Sequence, residues 1–441
     1  MESAVVCYPA IPGLTTSEDF TAEVSGRGVW IEKYVSNMDL STLPTWFTAQ
    51  PHTSRPQEVN IASFACAGLI HVTLMAREPI ESFSIRPKSR RIQAVKDGRT
   101  LTFTLPGPDK IYIEVNGLPP ICFFADPIEE PGPRPGDPNV VYFGPGVHRP
   151  GPITLKDHST LYIAPGAIVY GSLSGSPKNA RVLGRGILDG QYAHRLVRLQ
   201  DAEDVEVSGV MLRNGRGWQN TLTNCRKVTY RNVKVISFGN SGDGIDPVGS
   251  RDVTIDNCFF RCTDDCVAIK SLKVGQNVEN VQVLNCTMVG FACADGITVG
   301  FETNGPTMRS ILALNCDVVL SRGGNAVGRH SAFSVIADGP GWVTDVRFEN
   351  IRVEENVDRL FELHVTDGAA YVKGLPGHIK GVRLKDIAWE VQKPILLVGL
   401  DANHLVEDVV FENCTVAGRP LKTAEANFIS INAFARDVVF K

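Results

Sequence analysis

Copies of one short pattern, apolar-x-apolar-x-Asn or Gly, run through most of this chain and limit what it can fold into. They read Ala180-Arg181-Val182-Leu183-Gly184, Val205-Glu206-Val207-Ser208-Gly209 and Val228-Thr229-Tyr230-Arg231-Asn232. The series continues through Val253 to Asn257, Val281 to Asn285, Ile311 to Asn315, Val346 to Asn350, Val382 to Asp386 and Val409 to Asn413. Successive copies lie 23 to 36 residues apart, the period of a solenoid, propeller or array. Each unit holds brief β runs and no amphipathic helical pattern, so leucine-rich and helical repeats fit poorly. A propeller blade needs about four strands in 40 to 50 residues, more than these units hold. A parallel β-helix fits: each coil gives one strand to each of several sheets, and the apolar residues stack inside. The recurring Asn predicts an amide ladder between coils, satisfying bends that would otherwise be buried without partners. Cys258, Cys286, Cys316 and Cys414 each follow a ladder Asn, which predicts stacked core positions. Cys258, Cys262 and Cys266 lack zinc-type spacing with histidine, and no metal centre is expected there.

Residues 1–128 read differently. Leu69 to Met75, Ser82 to Pro87, Thr100 to Thr104 and Lys110 to Val115 carry alternating or β-branched patterns, with hairpin signals at Asp97-Gly98 and Asn116-Gly117. Short strands at this spacing predict an N-terminal antiparallel β-sandwich. Residues 129–138, Glu129 through Asp137-Pro138, are rich in Pro and Gly and read as a linker. Residues 139–441 then form the β-helix of an all-β protein.

A net charge of -4 gives no reason to expect a polyanionic partner. The only dense basic run, Arg86 to Arg91, reads as a solvated loop, so nucleic-acid binding is not expected. Met1 to Ile11 lacks a basic segment followed by an apolar one, and no window has the apolar length of a membrane span. The expectation is a cytoplasmic protein as sequenced, or a secreted one if a signal peptide has been removed, with no membrane partner. The 11 cysteines are odd in number and scattered, unlike a secreted disulfide framework.

The repeat also aligns the coils with one another. After each ladder strand a second strand opens as Asp243-Gly244-Ile245-Asp246, Asp265-Cys266-Val267-Ala268, Asp295-Gly296-Ile297-Thr298 and Asn325-Ala326-Val327-Gly328. Asp243, Asp265, Asp295 and Asn325 then share a column with strands about 4.8 Å apart, and Asp264 stands beside it. Like charges at that range raise each other's pKa. Three readings follow from spacing alone: a catalytic set with one carboxyl protonated and others ionised, a calcium site, or a solvated acidic face.

The stretch Asn240-Ser-Gly-Asp243-Gly-Ile-Asp246, followed by Thr263-Asp264-Asp265-Cys266-Val267-Ala268-Ile269-Lys270, closely resembles the polygalacturonase family, glycoside hydrolase family 28. So do Gly151-Pro-Ile-Thr-Leu-Lys156 with Leu161-Tyr-Ile-Ala-Pro-Gly-Ala167, and Gly184-Arg-Gly-Ile-Leu-Asp-Gly190. The resemblance covers about residues 139 to 335. It implies a right-handed parallel β-helix and an inverting hydrolase of a polysaccharide or oligosaccharide that needs no cofactor and no metal. On these positions it makes Asp264 the general acid, and Asp243 and Asp265 the pair that activates water. Asp246 then braces the strand, and Lys270 either reaches the sugar cleft or stays solvated.

Two departures bear on the substrate. Ala294-Asp295-Gly296 stands where the family has Gly-His-Gly, and Gly328-Arg329-His330 aligns with the Arg-Ile-Lys that holds a substrate carboxylate. Without that clamp, and with Asp295 added, a neutral sugar is easier to accommodate than galacturonate. Asp295, Arg329 and His330 are candidate cleft residues. Trp218, one coil before Asp243, is either a sugar platform or a packing residue. A sandwich joined to a β-helix is similar to the layout of the dextranase and isopullulanase family, glycoside hydrolase family 49, so a dextranase-like hydrolase of a neutral α-glucan is the alternative substrate reading. A non-catalytic carbohydrate-binding β-helix and a lyase are the competing classes. Long coils at Glu302 to Arg309 and Thr366 to His378 are candidates for closing one end of a cleft; endo or exo action and oligomeric state stay open.

Overall fold

The computed structural model describes residues 4–36, 57–239, 241–292, 294–321, 331–356, 358–367 and 375–441. The repeat patterns are strands of one 12-stranded sheet running from Val140–Phe143 to Ala435–Phe440, every neighbour parallel. The chain is thus a right-handed parallel β-helix with all-β sheets before it. A second sheet of 21 strands takes two strands from each central coil: Met211–Arg216 and Asn220–Thr223, Lys234–Ile236 and Ile245–Val248, Phe259–Cys262 and Val267–Ser271. First strands pair with first strands and second with second, so this sheet bends into two faces.

The apolar positions of the pattern point inward and stack. Val253 and Ile255, Val281 and Val283, Ile311 and Ala313, and Val346 and Phe348 are all at most 1% exposed, and each large side chain so buried contributes about 1.5–3 kcal/mol. Cys258, Cys286, Cys316 and Cys414 are buried beside them as free thiols.

The Asn ladder forms, with two differences from expectation. Asn315 Nδ2 donates to Asn285 Oδ1 at 2.8 Å and Asn350 Nδ2 to Asn315 Oδ1 at 3.1 Å, whereas Asn285 donates to Asp256 and Asn257 accepts from Lys110. These asparagines are also exposed, not buried. What selects Asn is backbone geometry: φ is +53° at Asn257, +55° at Asn285, +56° at Asn315 and +51° at Asn350, and Asn tolerates this left-handed region better than other side chains with a Cβ.

The first part of the chain forms a six-stranded and a five-stranded sheet packed through Phe64, Phe103 and Phe123. Pairing is antiparallel except that Ile121–Pro127 runs parallel to Glu58–Ala67. The turn expected at Asp97-Gly98 lies one residue later: Asp97 pairs with Thr100, leaving Gly98, at φ +55°, and Arg99 as the loop. Asn116 and Gly117 do make a tight turn, with φ +51° and +70°, but Pro119-Pro120 extends the connection to the next strand.

The six-stranded sheet packs on the face made by the first strands. Ile61, Tyr112, Cys122 and Phe124 meet Ile236, Phe238, Phe259 and Phe291. Buried Arg213 donates to Glu32 and Asp189, both at 2.8 Å, and Lys234 to Asp126 at 2.5 Å. The basic run is no solvated loop: Arg86 pairs with Glu354 at 3.0 Å and Arg90 with Asp317 at 2.9 Å. With that face covered, the second-strand face is the one that carries the acidic motifs.

Candidate active site

Ile245, Val267, Ile297 and Phe333 are register partners on successive second strands and all point into the core. Counting back two residues gives the column Asp243, Asp265, Asp295 and Ser331. The first three members are as the repeat predicts; the fourth is Ser331 and not Asn325. The intervening coil is longer than the pattern implies, so equal-length alignment slips there. Asn325, Arg329 and His330 lie outside the described residues.

Asp243 sits on a tight path. A Cβ on Gly242 would lie 2.2 Å from Thr263 Oγ1, and one on Gly244 would lie 2.3 Å from Cys266 O. Only glycine fits on either side, which explains Gly-Asp-Gly as a packing demand. Thr263 Oγ1 donates to Gly239 O at 2.7 Å and fixes this turn. Below it, the Asp265 N–H donates to Asp264 Oδ1 at 3.0 Å, and the Asp295 N–H to Asp265 Oδ1 at 2.9 Å. The result is a knot of three carboxylates: one oxygen each of Asp243, Asp264 and Asp265 lies within 4.8 Å of the others. Asp243 and Asp265 are buried and Asp264 is half-buried, so Asp264 is the one most open to solvent.

Two more groups complete the knot. Asp246, expected only to brace its strand, is fully buried, and no N–H of the described residues reaches either of its oxygens or Asp243 Oδ1. Burial above all pushes Asp246 up to about 7, with Lys270 and a hydrogen bond to Asp243 pulling the other way. Burial, then the charges of Asp246 and Asp264, hold Asp243 well above the usual carboxylate range. The pair therefore retains a proton near neutrality. Lys270 is not solvated: its Nζ lies 3.0 Å from Glu302 Oε2, 3.9 Å from Asp243 Oδ2 and 4.6 Å from the Trp218 ring centre. Burial works against its charge, but Glu302, Asp243 and Asp246 together hold it above an ordinary lysine.

Trp218 is half-buried at the rim, with the Arg195 guanidinium 5.0 Å from its ring centre. Asp295 is brought into the column, but its carboxylate is engaged within the protein, accepting from Ser331 N at 2.8 Å and Ser334 Oγ at 2.6 Å. The Glu302 coil is compact, with strands Ile297–Thr303 and Thr307–Leu314 separated by a short turn; part of the Thr366 to His378 segment lies outside the described residues. Sequence reasoning missed Glu302 as a partner of Lys270. Three carboxylates at this spacing suit either a shared proton and a water or a divalent cation; Lys270 already brings a positive charge to them.

Residues 182–429, more than half of the chain, match glycosyl hydrolases family 28. The chain belongs to that family. An endo-polygalacturonase of Pectobacterium carotovorum subsp. carotovorum is 24% identical over 219 residues, 49% of this chain and 51% of that protein. The chain thus matches about half the length of this curated relative. Among solved structures, Dex49A from Penicillium minioluteum shares the fold over 99% of this chain and 96% of its own, at 13% identity and a TM-score of 0.62. The exopolygalacturonase of Thermotoga maritima overlays 68% of this chain and 83% of its own, at 17% identity and a TM-score of 0.55. The family 28 match falls on the β-helix and contains the whole carboxylate knot, while the Dex49A likeness extends through the N-terminal sheets as well. No helix among the described residues is long and apolar enough to cross a membrane.

Proposed function

We propose that this protein hydrolyses the glycosidic bonds of a polysaccharide or oligosaccharide, with Asp264 as general acid and Asp243 and Asp265 activating the attacking water. The observation that carries the reading is the carboxylate knot itself, inside a family 28 match. Asp264, the most exposed of the three, is the one a leaving oxygen reaches. Asp265 Oδ1 accepts from the Asp295 N–H, which fixes the orientation of its carboxyl. Asp243 acts as a base when the proton it shares with Asp246 rests on Asp246, a division that Lys270 and Glu302 bias. Asp295 contributes its N–H, which orients Asp265, and Trp218 offers its ring to a sugar face.

Inversion is the stereochemistry that the family resemblance favours. One observation favours a second reading. Inverting carboxyls usually stand about 6.5–9.5 Å apart and retaining ones about 5–5.5 Å, and here single oxygens approach within 4.8 Å. Proton NMR of the first products from a panel of polygalacturonate, rhamnogalacturonan, dextran, pullulan and arabinan tests both points. New reducing ends of inverted anomeric form are expected. Retained anomers would remove the water-activating roles of Asp243 and Asp265, and ultraviolet-absorbing unsaturated ends would replace hydrolysis with elimination.

A further inference from the structure

The seam between the N-terminal sheets and the β-helix holds a cavity of about 400 Å³. Small-molecule sites occupy about 300–1,000 Å³ and often lie where two parts of a chain meet. This one stands on the first-strand face, away from the carboxylate knot. Elsewhere the seam packs as densely as a protein interior: the rings of Phe124 and Phe259 meet edge to face, with centres 5.0 Å apart. At the cavity the β-helix contributes Arg261, 1% exposed, from the strand Phe259–Cys262. Its guanidinium lies 3.9 Å from the Phe291 ring centre and is hydrogen bonded to the Tyr112 hydroxyl. The outer wall comes from the N-terminal part, where Ser82 and Phe83 are exposed and Glu114 is half-buried. Glu114 Oε2 accepts from Ser84 Oγ at 2.8 Å and from Arg86 Nε at 3.1 Å, which fixes the carboxylate in place. Arg86 is itself anchored on Glu354 of the β-helix at 3.0 Å, so both walls are held by the same seam.

We propose that this cavity binds a neutral sugar, as a site separate from the knot and built jointly by the N-terminal sheets and the β-helix. A guanidinium deep in the cavity and a carboxylate nearer its mouth bring opposite charges to one space. A sugar hydroxyl serves both, accepting from Arg261 and donating to Glu114. A charged ligand would be drawn to one of these groups and opposed by the other. The Phe83 ring offers a flat apolar surface to the C–H face of a pyranose, and the Ser82 hydroxyl stands beside it. The inference goes beyond the hydrolase reading and does not depend on it. It gives the N-terminal sheets a binding role besides covering the first-strand face.

Saturation-transfer NMR titrations with glucose, galactose, arabinose and galacturonate test it on the whole chain, wild type beside Ser82→Trp and Phe83→Ala. Ser82 is tied to Asn116 through its backbone N–H and C=O, so a Trp side chain there fills the cavity and leaves those bonds in place. A saturable signal is expected from at least one neutral sugar, stronger than that from galacturonate. Ser82→Trp should abolish it, and Phe83→Ala should weaken the affinity about two- to ten-fold, both at the wild-type melting temperature without sugar. The sugar should raise the melting temperature of the wild type and not of Ser82→Trp, because it binds only the folded seam. No saturable signal from any neutral sugar, a stronger one from galacturonate, or one unchanged in Ser82→Trp would overturn the proposal. Failure of the hydrolase reading looks different: binding persists, in Asp264→Asn as in the wild type, while no reducing ends are released from any glycan.

Discussion

Asp243, Asp264 and Asp265 were legible in the sequence because each belongs to a short contiguous motif whose coils are close in length. Glu302 was not, since it reaches Lys270 from 32 positions away and follows a register shift between Ile269 and Ser271. Period counting fails where a coil bulges. Asp246 was read as a brace because nothing in one sequence shows that no N–H of the described residues reaches its oxygens. Its proton gives a test. A base that shares a proton with Asp246, held near 7, should give kcat/KM an acid limb close to neutral pH rather than near 4. Asp246→Asn removes a negative neighbour of Asp243, so that limb should move to lower pH; a limb that stays in place would exclude the coupling. The same proton sets a stability trend. A carboxyl whose folded pKa is raised binds a proton that the unfolded chain releases first. Its contribution is therefore complete below about pH 4 and falls as pH rises to about 7. Asp246→Asn should raise the melting temperature at pH 8 and change it much less at pH 4.

The coil is the element whose strands the repeat announced, down to the inward Val and Ile pairs. The asparagines were also anticipated, but for a reason that is only half of the answer. Asn315 Oδ1 accepts from Asn350 Nδ2 and from Arg352 Nη1, and its φ of +56° is what a residue with an ordinary Cβ resists. Asn315→Ala should destabilise by about 1–2 kcal/mol from the backbone alone, with the lost amide bonds added. Asn315→Gly, which removes the same bonds but fits the backbone, should cost less, and denaturant unfolding of the two variants separates ladder from geometry. In the N-terminal sheets, hairpins carried local signals and were found to within a residue. The parallel pairing of Ile121–Pro127 with Glu58–Ala67 joins segments far apart in sequence, and no turn residue marks such a partner.

At the scale of the whole molecule, the N-terminal sheets cover one face of the β-helix and leave the acidic face beside it open. The sequence showed two kinds of β structure but not their seam, because Arg213, Arg86 and Arg90 look like surface residues until their distant carboxylates are known. Arg213 is fully buried between Glu32 and Asp189. Arg213→Met leaves both carboxylates without their cation and should cost about 3–5 kcal/mol of stability, read from the denaturation midpoint; a loss well under 1 kcal/mol would mean the seam is held by its apolar contacts alone. The claim on which the functional account turns is that glycosidic bonds are cut at the knot of Asp243, Asp264 and Asp265. It is tested most directly by steady-state release of reducing ends from the glycan panel, wild type beside Asp264→Asn. Hydrolysis of one glycan of the panel is predicted, with kcat/KM reduced about a hundred- to ten-thousand-fold in the variant at an unchanged fold. Full activity in Asp264→Asn would contradict it and move the general acid to another residue.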